Sequence, residues 1–304
     1  MGFDDLPAQP PIYPPEAAAY AARAIGLSRE AAASCECVFD VAYGDDYWQR
    51  IDIYRPVAAP SSELPVLLFA HGGAWTHGYK EWMGLLAPAV TAFPAIFVSV
   101  SHRLAPQHRY PRPFEDCMAA LAWVYGNIDR YGGSPARLFV GGHSSGGHLY
   151  ALVTLRRDAL RRAGLPDTVV GGCFPVSARF NMVFENPEPG STEHRHKSML
   201  FAHDEDARPA SPLHQVEGNR IPFLLAYGER DLPAIIKNNE QMFKALRAQG
   251  ALVHRLVLDR FDHFETALEI RHPDNPWMRC VRAWMRDGAA THAEQKGDPT
   301  DDRA

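Results

Sequence analysis

From residue 65 onward the chain alternates short, unbroken apolar runs with amphipathic stretches, and few folds accommodate that pattern. The runs cover 66–70, 95–100, 138–140, 169–174, 222–227 and 252–258. A strand with no polar face must be covered on both sides, as in a buried parallel sheet. Between the runs lie helical patterns. Over 113–128, Phe114, Cys117, Met118, Leu121, Val124, Tyr125 and Ile128 recur at helical spacing, and Pro113 suits a first turn. A second helix is predicted over 238–249, stopped by Gly250, and a third over 277–286, stopped before Gly288. Strands alternating with helices predict an α/β fold with a mostly parallel central sheet and helices on both faces.

The 304 residues are 46% hydrophobic and 22% charged, enough to build a large core without disulfides or metals. A net charge of −5 gives no basic field for nucleic acid. No stretch approaches the ~18 apolar residues of a membrane span. The first sixteen residues lack the basic and apolar regions of a secretory signal. Five cysteines, with Cys35 and Cys37 too close for an easy bridge and Cys117, Cys173 and Cys280 in apolar surroundings, imply a reducing compartment, the cytoplasm. No Cys/His spacing resembles a zinc site, so no metal is expected.

Residues 1–37 are Pro-rich and then Ala-rich. They read as a cap-like segment, with helix over 17–33 broken near Gly26, Leu27 and Ser28. The main domain is expected over 38–287. It opens with strands at 38–43 and 49–55. In the second, Ile51 and Ile53 alternate with Asp52 and Tyr54, which predicts a half-exposed antiparallel edge. Residues 178–216 have no clear period and read as a small lid insertion above the sheet, and the polar stretch 288–304 reads as disordered. The 49–55 edge and the terminal helix are potential contact surfaces of a homodimer.

Gly142-His143-Ser144-Ser145-Gly146 fits G-x-S-x-G between a predicted strand and a predicted helix. Small flanking residues allow the sharp turn that exposes a serine hydroxyl at a helix N-terminus. Ser144 is therefore the candidate nucleophile. Ser145, preceded two positions earlier by His143, is the weaker choice. His71-Gly72-Gly73-Ala74-Trp75 follows the first apolar run. Acyl transfer needs preorganised N–H donors for an oxyanion, and the amides of Gly73, Ala74 and Ser145 are the candidates. His71 reads as a brace. Asp231 and His263 each lie in a loop after a predicted strand, at the rim where active groups of open α/β sheets gather. Among 14 histidines, His263 alone sits directly after the last strand. Glu229 and Asp262 compete with Asp231 for the acid. Trp75, Trp82, Phe180 and Phe184, with Met182 and Phe201, either line a substrate pocket or pack the insertion onto the core. Arg179 reads either as a partner for a substrate carboxylate or, the preferred expectation, as a solvated surface residue. His194, His196 and His203 lie in a polar loop that does not read as a metal site.

These features resemble the hormone-sensitive-lipase-like branch of α/β-hydrolases over roughly residues 38–287. Further likeness lies in Ser101-His102-Arg103-Leu104-Ala105-Pro106, Tyr110-Pro111 and Phe114-Glu115-Asp116-Cys117. The HGG-x-W form, the His before the nucleophile and Asp262-His263-Phe264 are similar to the kynurenine formamidase (arylformamidase) subgroup. The elbow departs from that subgroup by reading S-S-G-G-H. The resemblance implies a serine hydrolase of small-molecule esters or aryl formamides with no cofactor, and a structural, loop-bracing Asp116. An acyltransferase would use the same three side chains, and a non-catalytic binding relative would be expected to lack one of them.

Overall fold

The computed structural model describes residues 3–12, 14–57 and 63–288. In chain order the elements are α1 (Pro15–Ala32), β1 (Glu36–Ala42), β2 (Arg50–Arg55), β3 (Leu64–Ala70), α2 (Ala87–Ala92), β4 (Ile96–Val100), α3 (Arg112–Asn127), β5 (Gly133–His143), α4 (Ser145–Leu155), α5 (Arg157–Arg162), β6 (Val170–Val176), α6 (Thr192–Leu200), β7 (Phe223–Gly228), α7 (Pro233–Ala248), β8 (Val253–Leu258), α8 (Glu265–Glu269) and α9 (Pro276–Asp287). The strands form one eight-stranded sheet in the order β1-β2-β4-β3-β5-β6-β7-β8. β2 is antiparallel to both β1 and β4, and every other pair is parallel.

Side chains alternate across each strand, so one sheet feeds two cores. Val66, Leu68 and Ala70 of β3 face a layer containing Phe114 and Leu121 of α3, Leu149 of α4 and Met242 of α7. Leu67 and Phe69 face the other layer, built from Tyr20 and Ala24 of α1, Val90 of α2 and Trp277 and Val281 of α9. This double cover explains why the strand runs are apolar throughout.

Four local expectations are corrected. First, α1 runs unbroken through Gly26-Leu27-Ser28. Ala17, Tyr20, Ala24, Ser28 and Ala31 form one buried stripe, and the Ser28 hydroxyl accepts the Leu85 amide at 2.8 Å. These tertiary contacts override a helix penalty of about 1 kcal/mol for glycine. Second, α7 begins at Pro233, a first-turn proline, before the expected 238. Third, the 178–216 insertion contains a helix, α6. Fourth, β2 is not the edge, because β1 lies outside it. The polar tail at 289–304 lies outside the described residues.

The misread strand hides an ionic cluster. Lys80, 3% exposed, places its ammonium 3.0 Å from both Asp40 Oδ1 and Asp52 Oδ1 and also pairs with Glu81. The Lys80 backbone N–H donates to Ser101 Oγ, and the Ser99 hydroxyl donates to the Lys80 carbonyl. The cluster thus fixes the chain after β3 to β2 and β4. Three carboxylates share one cation in a dry site. Burial, with Glu81 adding to it, pushes Asp52 up to about 7 despite Lys80. An unfolded Asp titrates near ~3.9, so the folded state holds this proton more tightly. The resulting stability is full below the unfolded value and is lost as pH rises through about 7. The thermal midpoint of the wild type, measured relative to Asp52→Asn, is therefore expected to fall between about pH 4 and 7 and to level off above that. A constant difference would refute the raised pKa.

Candidate active site

β5 ends at His143 and α4 begins at Ser145, leaving Ser144 in the turn at φ 52° and ψ −115°. A non-glycine residue there carries strain of about 1–3 kcal/mol, which its surroundings must hold. The Ser144 amide donates to the Val176 carbonyl at 2.8 Å, and its carbonyl accepts the His148 amide at 3.0 Å. The motif glycines follow from contact. A Cβ on Gly146 would lie 2.2 Å from the Ala70 carbonyl oxygen, and one on Gly142 would lie 2.3 Å from the Gly146 carbonyl carbon. The elbow therefore sits directly against the end of β3.

Asp231 follows β7 and His263 follows β8, and His263 stands between Asp231 and Ser144. His263 Nε2 lies 3.1 Å from Ser144 Oγ, and His263 Nδ1 lies 2.8 Å from Asp231 Oδ1. The buried Asp231 carboxylate also accepts the Leu232 amide at 2.8 Å and the Ser177 hydroxyl at 2.5 Å. Burial alone would raise its pKa, but the bonds from His263, Ser177 and Leu232 outweigh burial and lower it. The competing acids are occupied elsewhere. Glu229 accepts the Arg260 amide, and Asp262 accepts the amides of Phe264 and Glu265 at the start of α8.

Two residues to which sequence reasoning gave no site role, His143 and Thr266, hold the His263 backbone from behind. His143 Nε2 donates to the His263 carbonyl at 2.9 Å, and the two rings lie 4.9 Å apart. Burial, and then the neighbouring His263, push His143 down to about 3, so it is a neutral donor. The Thr266 hydroxyl donates to the same carbonyl at 2.7 Å. The occupant of the first variable position in G-x-S-x-G was the one sequence signal that pointed to His143.

The loop after β3 has three consecutive residues at positive φ: Gly73 at 119°, Ala74 at 53° and Trp75 at 63°. Gly73 is obligatory, because a Cβ would lie 2.2 Å from the His77 carbonyl oxygen. The amides of Gly73, Ala74 and Ser145 donate to no acceptor among the described residues. His71 is fully buried, donates from Nδ1 to the Gly72 carbonyl at 2.7 Å and stacks on His102. Asp116 holds the Arg103 guanidinium and backbone N–H and also accepts from Gln49.

The expected pocket residues separate. Trp82 packs against Tyr20 and His71 in the α1 core layer, and Phe180 is fully buried between insertion and sheet, so both are packing residues. Met182 and Phe201 join the same core as Phe180. Trp75 is buried as well. Its indole donates to His148 Nδ1 at 3.0 Å, and its ring meets His196 edge-on. Phe184 alone of the four borders open space, a cavity of about 490 Å³ that Arg179, Asn181, Glu193, Lys237 and Asn238 also line. Arg179 corrects a second expectation. It is 8% exposed, pairs with Glu193 at 3.2 Å and lies 5.2 Å from the Phe184 ring centroid. Among the described residues no three His, Cys, Asp or Glu side chains are placed to hold a metal ion, and no helix is long and apolar enough to cross a membrane. All five cysteines are free thiols.

The family model for the alpha/beta hydrolase fold matches residues 67–264, and the chain belongs to that family. Among curated relatives, Esterase LipC of Mycobacterium tuberculosis is 34% identical over 224 residues, covering 68% of this chain and 54% of that protein. A probable isoprenylcysteine alpha-carbonyl methylesterase of Oryza sativa subsp. japonica is 28% identical over 245 residues, covering 75% of this chain and 57% of that protein. The chain thus spans little more than half the length of these relatives. An esterase structure from Pyrobaculum calidifontis superposes with a TM-score of 0.72 at 21% identity, covering 90% of this chain and 92% of that one. That likeness concerns the fold.

Two glycine substitutions test the elbow contact by thermal unfolding. Gly126, in α3, has nothing within 4 Å of an added Cβ, so Gly126→Ala is expected to stabilise by about 0.5–1 kcal/mol. Gly146→Ala is expected to destabilise by about 3 kcal/mol or more as the turn and β3 are forced apart. Equal midpoints for the two variants would refute the contact.

Proposed function

We propose that the chain is a serine hydrolase that cleaves carboxylic esters of small molecules through an acyl-enzyme. The observation that carries this reading is the continuous hydrogen-bonded line from Asp231 through His263 to Ser144, beside three uncommitted amides. In this mechanism His263 Nε2 takes the proton from Ser144 Oγ as the oxygen attacks the ester carbonyl. Asp231 holds His263 in the tautomer that leaves Nε2 free to accept, and stabilises the imidazolium that forms. The amides of Gly73, Ala74 and Ser145 receive the oxyanion. The imidazolium returns its proton to the leaving alkoxide, and the alcohol departs. Water, deprotonated by the same imidazole, then attacks the acyl carbon, and Ser144 leaves with the proton.

Polarity within the site supports these assignments. His143 and His148 are both pushed far below the ordinary histidine value, to about 3 and about 4, chiefly by burial. Both serve as neutral hydrogen-bonding groups, and the imidazole whose Nε2 lies at the Ser144 hydroxyl, 3.1 Å away, is that of His263. The relatives named above carry ester-hydrolase names, which favours an ester over the formamide that the subgroup resemblance raised.

The test is turnover of p-nitrophenyl esters of graded acyl length beside N-formylkynurenine. Ester turnover is expected to exceed formamide turnover throughout. Ser144→Ala is expected to lower kcat by about 10⁶, and Asp231→Asn by about 10⁴. An active Ser144→Ala protein would overturn the nucleophile. Faster cleavage of the formamide than of any ester would overturn the substrate class.

A further inference from the structure

We propose that Gln9 is a positioning residue of this site: its side-chain amide clasps Gly78 and so holds the loop whose Gly73 and Ala74 amides face the oxyanion. This assignment rests on the ester-hydrolase reading above. Gln9 Nε2 donates to the Gly78 carbonyl at 2.9 Å, and Gln9 Oε1 accepts the Gly78 N–H at 2.9 Å. One side chain thus satisfies both backbone groups of one residue, as a neighbouring strand would.

The flanking residues are held by the same segment. His77 Nε2 donates to the Pro10 carbonyl at 3.1 Å, and the Tyr79 hydroxyl donates to the Pro7 carbonyl. Three consecutive loop residues are therefore tied to residues 7–10. The segment is itself anchored at its start. Asp4 pairs with Arg29 at 2.8 Å, and Phe3 meets Phe39 edge-on at 6.1 Å.

Gly78 transmits the hold. It sits at φ 111°, and a Cβ there would lie 2.2 Å from His71 Nδ1 and 2.5 Å from the Gly72 carbonyl oxygen. A displacement of Gly78 is thus felt at His71 and Gly72, next to Gly73. Gly73 is coupled to the loop's far side too, since its carbonyl accepts the amides of Thr76 and His77. Left-handed glycine has little intrinsic preference for one conformation, so an external clasp is what fixes it. Oxyanion donors act only when they are aimed before the reaction, and misplacement by about 1 Å costs up to ~10²-fold in rate.

The experiment compares Gln9→Ala and Gln9→Glu with the wild type, in the 304-residue chain, well below the thermal transition. The readouts are kcat and KM for p-nitrophenyl acetate and inhibition by phenylboronic acid, which forms a tetrahedral adduct on a serine. For Gln9→Ala, kcat is expected to fall about 10-fold with KM within about twofold of wild type, and boronate affinity to fall by a similar factor. Gln9→Glu keeps the acceptor for the Gly78 N–H and loses the donor, so an intermediate fall is expected. It carries the same comparison if Gln9→Ala does not fold. Wild-type kcat and boronate affinity in the folded variants would overturn the proposal, as would a rise in KM with kcat unchanged. Gly73→Ala separates this from the underlying reading. If Gly73→Ala folds and retains full kcat, the oxyanion assignment itself fails. If it loses activity while the Gln9 variants do not, only the clasp falls.

Discussion

Gly146 lies so close to the last residue of β3 that a single added carbon would overlap the Ala70 carbonyl. The rest of the site depends on that contact. It sets the distance between two pieces of chain that are far apart in sequence, the elbow carrying Ser144 and the loop carrying Gly73 and Ala74. Parallel pairing of β3 with β5, with Ala70 opposite Gly142, brings both pieces to the same edge of the sheet in register. The glycines then let them close to contact. On the proposed reading a hydroxyl and a set of backbone donors must both address one carbonyl group, and at this spacing small errors in position weaken both interactions.

Buried histidines brace this arrangement as neutral donors. His71 donates to the Gly72 carbonyl, His143 to the His263 carbonyl and His148 to the Ala210 carbonyl. Burial lowers the pKa of each, so each behaves as a rigid planar hydrogen-bond donor. Each bond satisfies a carbonyl that has no strand or helix partner near the rim, where the regular ladders end. His263 differs in having a carboxylate on one nitrogen and a hydroxyl on the other.

What the sequence disclosed and what it concealed divide by range of interaction. Strands, the long helices and the G-x-S-x-G turn are local patterns, and they were legible because one segment's periodicity reports its own burial. Ser144, Asp231 and His263 were legible because each stands at the end of such a segment. The burial of Asp52 was not, because its polarity signalled solvent while its partner Lys80 lies 28 positions away. Arg179 failed for the same reason, since Glu193 reaches it from within an aperiodic insertion. Gly26 marked a break in α1 that the packing of Tyr20, Ala24 and Ser28 removes. Trp82 and Phe180 show the ambiguity of large apolar residues in loops, whose composition does not distinguish a pocket wall from a core.

The antiparallel end of the sheet contributes to the site despite its distance from Ser144. The loop after β3 carries strain at Gly73, Ala74 and Trp75, so it persists only if both of its ends are fixed. At one end it leaves β3, a central strand. At the other it enters Lys80, whose ammonium is tied to Asp52 of β2 and whose backbone is tied to β4 and to Ser101 just beyond it. A buried ion cluster of this kind contributes little net stability compared with an apolar one of equal volume. Its directionality is what a strained loop requires, because an ammonium among carboxylates resists rotation and sliding in a way that methyl groups do not. The cluster and the β3–β5 pairing therefore act as the two fixed ends between which the positive-φ turn is held.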